Sequence, residues 1–187
     1  MSIWLRFIWV IVSGFFKKPL TLSDVSILPQ RVWLDELDIN VHMNNAKYLA
    51  VMDLGRTDWI VRTRARRLMT HEKMSPVVGG ALVRYRRSLK LFQRYELKTR
   101  LLGWDERWLY IEQIMECRQG IACIAVQRTT FTKNGKMVPP QELAAKLGHD
   151  AGQMPAPDWT RAWNETDIAM VKAADDAPRS SPDAPVP

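Results

Sequence analysis

A chain of 187 residues, 47% hydrophobic and 25% charged, is long enough for one well-cored domain with appendages and has the composition of a globular protein. Its formal net charge of +7 points to an anionic partner: phosphates on a small molecule, a lipid surface or nucleic acid. With three histidines, and two cysteines (Cys117 and Cys123) spaced like neither a zinc site nor a redox Cys-x-x-Cys pair, the chain is expected to hold no metal and to keep two buried free thiols in a reducing compartment.

From Ile3 to Phe16 the chain is almost wholly apolar, broken by Arg6, Ser13 and Gly14 and closed by Lys17-Lys18-Pro19. A helix over this stretch is about 21 Å long, short of the roughly 30 Å hydrocarbon core of a bilayer. Arg6, Ser13 and Lys17 fall on one narrow helical stripe, which favours a helix lying in a membrane interface over one that spans it. Arg6 also interrupts the run too early for a secretory signal, and no small-x-small cleavage site follows. If the segment inserted, Lys17 and Lys18 would hold the remainder of the chain on the cytoplasmic side. The competing reading is a helix packed on its own domain or within a dimer.

The body is expected between about Leu28 and Pro140. Gln30 to Trp33 reads as a first strand and Asn45 to about Thr63 as a long helix, with a second helical piece over Arg64 to His71. Pro76 and Gly79-Gly80 end that region. Four β-like runs follow, Ala81–Leu91, Tyr95–Trp104, Trp108–Cys117 and Ile121–Thr132, joined by short connections. Asn134-Gly135 marks a turn, and Pro139-Pro140 closes the run. One strand, one long helix and four antiparallel strands predict an α+β layout, an antiparallel sheet wrapped around one long central helix. Beyond it, a brief helix is expected over Glu142–Leu147 and another over Trp159–Lys172. The Pro/Ala/Ser/Asp-rich stretch from Asp176 to Pro187 reads as disordered. The expected division is therefore 1–27, 28–140 and 141–187.

The densest chemistry lies between the first strand and the long helix, where Asp38, Asn40 and His42 alternate and Asn44-Asn45 opens the helix. A carboxylate, an amide and an imidazole beside the free N–H groups of a helix N-terminus form a site suited to polarising a carbonyl. The plain alternative is that Asp38 and Asn44 cap the helix and His42 bonds a backbone carbonyl. Farther along the helix, Asp53 and Arg56 are spaced for an i,i+3 ion pair. Arg62, Arg64, Arg66 and Arg67, and again Arg84, Arg86 and Arg87, form clusters suited to phosphates or anionic lipid heads, or simply to solvent. No nucleic-acid recognition motif accompanies them.

The segment Asp35-Glu-Leu-Asp38-Ile-Asn40-Val-His42-Met-Asn44-Asn45-Ala-Lys47-Tyr48, followed by Asp53-Leu-Gly-Arg56, resembles the hot-dog-fold thioesterase superfamily, of the acyl-ACP and 4-hydroxybenzoyl-CoA thioesterase type. The stretch from Tyr85 to Asp105 resembles more closely the thioesterase superfamily member six group, whose members also tend to begin with a hydrophobic segment. The resemblance covers about Leu28 to Pro140. It implies a hot-dog fold and hydrolysis of an acyl-CoA or acyl-ACP thioester without a cofactor. Asp38, Asn40 and His42 would be the catalytic set; Asn44 and Asn45 would hold the carbonyl oxygen; Tyr48 and Arg56 would shape and support the site. It further implies a homodimer or homotetramer, and the expected location is cytoplasmic, with residues 3–16 against the inner face of the membrane. Two departures stand out: Val41 where many members carry glycine, and Asp53 where glutamate is common. Val41 feeds the alternative of a non-catalytic acyl-thioester or lipid-binding protein associated with a membrane.

Overall fold

A computed structural model describes residues 2–148 and 154–176. Its described residues fall into two compact units, divided between Pro155 and Ala156. In the first, helix α1 (Ile3–Phe16) precedes strand β1 (Ser26–Arg31), a 3-10 turn (Leu34–Glu36), the long helix α2 (Asn45–Arg62) and the short α3 (Arg66–Thr70). Strands β2 (Ser75–Tyr85), β3 (Arg94–Trp104), β4 (Leu109–Cys117), β5 (Gly120–Lys133) and β6 (Lys136–Val138) follow, then α4 (Pro140–Leu147). The strands form one antiparallel sheet in the order β1-β3-β4-β5-β2, with β6 on β5. This is the α+β layout expected from the sequence.

Alternation decides which face of the sheet meets the helix. Along β3, Tyr95, Leu97, Thr99 and Leu101 point inward and are buried while their neighbours are not. Val51, Met52 and Leu54 of α2 close on Leu97, Met115 and Ala125 in one core cluster; Trp59 closes on Leu101, Trp104, Ile111 and Phe131 in another. Gly55 sets the approach: a Cβ there would lie 2.5 Å from Thr99 Oγ1 and 2.7 Å from Leu97 Cδ2. Cys117 and Cys123 are free and buried, and burial pushes the Cys123 thiol up to about 12.

Several boundaries differ from expectation. The first strand is Ser26–Arg31 rather than Gln30–Trp33, because the chain turns into the 3-10 turn at Leu34. β2 begins at Ser75, through the Pro76 and Gly79-Gly80 signals read as breakers. It is an edge strand, where a proline without an N–H is tolerated, and a bulge between Val78 and Gly80 absorbs the glycines. It also ends earlier, at Tyr85, and residues 86–93 return toward the start of α2, where the Met43 N–H donates to Leu89 O at 2.8 Å. β6 was not expected.

The 3–16 stretch is a helix docked on its own domain by one side. Arg6, Val10 and Gly14 are buried, and a Cβ on Gly14 would meet Val61 Cγ1 of α2 at 2.8 Å. No described helix is long and apolar enough to cross a membrane.

In the second unit, α5 runs over Trp159–Asp176, longer than the Trp159–Lys172 expected, with the Trp159 and Trp163 rings stacked at 6.5 Å. Asp176, assigned from sequence to the disordered tail, ends this helix; the rest of that tail lies outside the described residues.

Candidate functional site

The alternating Asp38, Asn40 and His42 form a tight loop closed on itself. Asp38 N–H donates to His42 O at 2.8 Å, and Val41 N–H to Asp38 O at 3.1 Å. The Asp38 carboxylate folds back over the turn, its Oδ1 accepting from the N–H of Asn40 at 2.8 Å and of His42 at 3.3 Å. Such a side-chain turn suits aspartate because its short carboxylate reaches backbone two residues on. Val41 adopts a φ of +60°, the left-handed region where glycine carries no steric penalty. Asp38 and His42 are half-buried and Asn40 is exposed. Neither Asp38 Oδ2 nor the His42 ring makes a hydrogen bond among the described residues.

Glu36 and Asn44 fasten this loop to α2. Asn44 is the N-cap: its side chain accepts from Ala46 N–H at 2.9 Å, and its own N–H donates to Glu36 O at 2.8 Å. The Asn45 N–H is left as a first-turn donor with no partner among the described residues. Asp38 thus braces the loop rather than the helix, while Asn44 caps as the plainer reading expected. One turn farther on, Tyr48 is buried, its hydroxyl accepting from Leu89 N–H at 3.4 Å and its ring edge-on to Tyr85 at 5.1 Å. Desolvation raises the Tyr48 pKa. Tyr85 O–H donates to Asn45 O at 3.0 Å, tying edge strand β2 to the start of α2.

Five of the residues singled out from sequence, Asp38, Asn40, His42, Asn44 and Asn45, therefore share one loop and cap, with Tyr48 beneath them. Arg56 lies apart within the chain. It pairs with Asp53, as the spacing predicts, and donates to Gln113 Oε1 at 3.4 Å. Burial lowers its pKa to about 10, so it stays a cation at neutral pH.

Asp53, Arg56 and Val78 stand where two cavities adjoin. One is an open groove between α2 and β2, lined also by Leu49, Ala50, Gly79, Gly80, Ala81 and Gln127. The other is an apolar cavity of about 270 Å³ between the second half of α2 and the sheet, walled by Trp59, Leu101, Trp104, Ile111, Phe131 and, from α4, Leu143 and Leu147. Apart from Asp53 and Arg56, none of these walls was singled out from sequence as part of a site, because they come from separate elements and carry no shared spacing. In the walls, Trp59 Nε1 and Gln127 Oε1 are buried without a hydrogen-bond partner among the described residues. No group of His, Cys, Asp and Glu able to hold a metal occurs among the described residues.

Residues 32–163 match the family described as the Thioesterase-like superfamily. Protein THEM6 of Danio rerio is 36% identical over 132 residues, covering 63% of this chain and 64% of that one. A probable thioesterase of Saccharomyces cerevisiae is 26% identical over 117 residues, covering 60% and 50%. The chain spans less than two thirds of the length of each of these curated relatives. Among solved structures, the YbaW probable thioesterase of Escherichia coli superposes with a TM-score of 0.60 at 23% identity, covering 65% of this chain and 95% of that one. A thioesterase of Thermus thermophilus, solved with coenzyme A and Zn, superposes at 0.55 and 22% identity, covering 65% and 90%. The fold, an antiparallel sheet curled around α2, is the hot-dog fold, and the family match over most of the chain settles the kinship: the chain belongs to the thioesterase-like superfamily.

Proposed function

We propose that the chain hydrolyses an acyl-CoA or a related acyl thioester to the free acid and thiol. The observation that carries this reading is the Asn44-capped N-terminus of α2 with the Asp38–His42 loop folded against it, in a chain of this family. In the reaction, Asp38 Oδ2 takes a proton from a water whose oxygen attacks the thioester carbon. The carbonyl oxygen gains the charge and meets the Asn45 N–H and the positive end of the helix. Collapse of the adduct breaks the C–S bond, and the leaving thiolate recovers the proton relayed by His42. Asn40, exposed at the turn, orients the water.

The groove along α2 supports an acyl substrate. It leads from the first turns of the helix to Asp53, about 12 Å from Asn45 at 1.5 Å per residue, and there adjoins the apolar cavity. That cavity, about 270 Å³ and lined mainly by apolar side chains, suits an apolar tail. The exposed basic residues Arg84, Arg86 and Arg87, where β2 runs into the following loop, offer phosphate contacts. A homodimer completes the reading: β2 is a long edge with exposed Val77, Val78, Leu82 and Tyr85, and Tyr85 touches the α2 cap.

A second reading, binding of an intact thioester without turnover, draws on Val41, whose exposed β-branched side chain occupies a left-handed position in the loop. Thiol release from a panel of short, long and aromatic acyl-CoAs separates the two. Asp38→Asn keeps the carbonyl oxygen that accepts from Asn40 and His42 but removes the base. It and His42→Ala are expected to lower kcat/KM by roughly 10²–10⁴-fold with unfolding midpoints unchanged. Tight binding of a thioether analogue by a wild type that releases no thiol would transfer the assignment to the binding protein.

A further inference from the structure

Helix α1 is docked with its polarity reversed. A helix on a water-soluble domain turns its apolar stripe to the core and its polar face to solvent. In α1 the single charge, Arg6, is buried, and the large apolar side chains Trp4, Ile8, Trp9, Val12, Phe15 and Phe16 point outward, Trp4 at 74%, Trp9 at 67% and Phe16 at 87% exposure. The orientation is locked. Arg6 forms an ion pair with buried Glu36 and a hydrogen bond with Gln30, Lys17 Nζ contacts Asp58 Oδ1 at 2.7 Å, and Gly14 lies against Val61. Turning the apolar face inward would strip a buried guanidinium and a buried carboxylate of each other, so the helix cannot roll to hide it.

A continuous apolar face of this kind marks an interaction surface rather than scattered exposure. Its border identifies what it meets. Lys18, two residues beyond the end of α1, is exposed, and so is Arg66, whose guanidinium lies 5.7 Å from the centre of the Phe15 ring. α1 itself carries no acidic residue, so a second copy of the same face has no carboxylate on this helix to offer those cations. Aromatic rings beside exposed cations match an interface of acyl chains and anionic headgroups. At 14 residues α1 lies along such a surface and does not cross it.

We propose that the outward face of α1, bordered by Lys18 and Arg66, docks the folded domain on an anionic lipid surface, in a manner independent of the thioesterase chemistry. Because Arg6 grips Glu36, whose carbonyl receives the Asn44 N–H, the docked helix is one ion pair away from the loop of the candidate site. The test is co-sedimentation of the full chain with phosphatidylcholine vesicles, with and without phosphatidylglycerol. Wild type is expected to bind the anionic vesicles and to be released by salt. Trp9→Gln/Phe16→Gln, at two exposed positions, is expected to weaken partitioning roughly a hundredfold at an unchanged unfolding midpoint. Lys18→Glu/Arg66→Glu should abolish the preference for anionic over neutral vesicles. Absence of wild-type binding to either vesicle overturns the proposal. So does a wild-type oligomer that Trp9→Gln/Phe16→Gln dissociates without any change in vesicle binding, which would assign the face to a second copy.

Discussion

Val41 concentrates the strain of the candidate site in one residue. At φ +60° a β-branched side chain sits where L-residues lose about 1–2 kcal/mol, and its 59% exposure returns little packing. Glycine there removes the clash but adds unfolded-state entropy of about 0.5–1 kcal/mol. Val41→Gly is therefore expected to leave stability equal or up to about 1.5 kcal/mol higher, read as a urea midpoint at constant m-value. A loss greater than about 1 kcal/mol would mean that the Val41 side chain packs in a way its exposure does not indicate. The position was legible in the sequence as a departure from glycine, and so were Asp38, Asn40, His42 and the Asn44 cap, because they lie within a few residues of one another. Legibility ended where backbone conformation or a distant partner decides: that Asp38 braces its own turn follows from the backbone geometry of the loop, and Tyr85 reaching Asn45 depends on the register of β2.

At the scale of elements, the same limit explains α1. Its spacing puts Arg6, Ser13 and Lys17 on one stripe, but nothing in residues 3–16 says whether that stripe meets water or protein. The answer lies in Glu36, Gln30 and Asp58, up to 41 residues away, which supply the buried acceptors. β2 departs from expectation in the opposite way: Pro76 and Gly79-Gly80 are true breakers of a central strand, and only the topology reveals that this strand is an edge. The α1 contact carries its own prediction. Removing one partner of a buried ion pair leaves the other charged and unpaired, so Arg6→Ala is expected to cost about 3–5 kcal/mol. Arg6→Met/Glu36→Gln fills the same volume, keeps an acceptor for the Trp33 N–H that Glu36 Oε2 now receives at 2.9 Å, and should recover most of that loss. Chemical unfolding followed by circular dichroism compares the two. Equal losses in the single and double variants would show that packing of α1, rather than the charge pair, holds the contact.

At the scale of the whole molecule, the loop and the cavity stand at different points along α2, and the edge of the sheet connects them. The groove runs between α2 and β2, its mouth to the cavity is framed by Asp53, Arg56 and Val78, and Tyr85 of β2 touches the helix cap. β2 is eleven residues long, forms one edge of the sheet and carries Pro76 and a bulge only in its first half, while its second half, Ala81 to Tyr85, has no lysine and a single arginine, Arg84, so the usual devices that keep an edge single are weak there. Pairing of two such edges would extend one sheet across two chains and cover Leu82, 44% exposed in the single chain. A lysine at this position leaves the β2–β5 ladder intact but places a charge in that seam. Leu82→Lys is therefore expected to raise the dimer dissociation constant by roughly tenfold or more, since each buried leucine contributes about 1.5–3 kcal/mol. Light scattering over a dilution series reads it. Thiol release should fall in step with dissociation, because the groove wall and the helix cap hang on the same strand. A Leu82→Lys chain that is monomeric yet fully active would separate the edge from the chemistry and make each subunit's groove sufficient by itself.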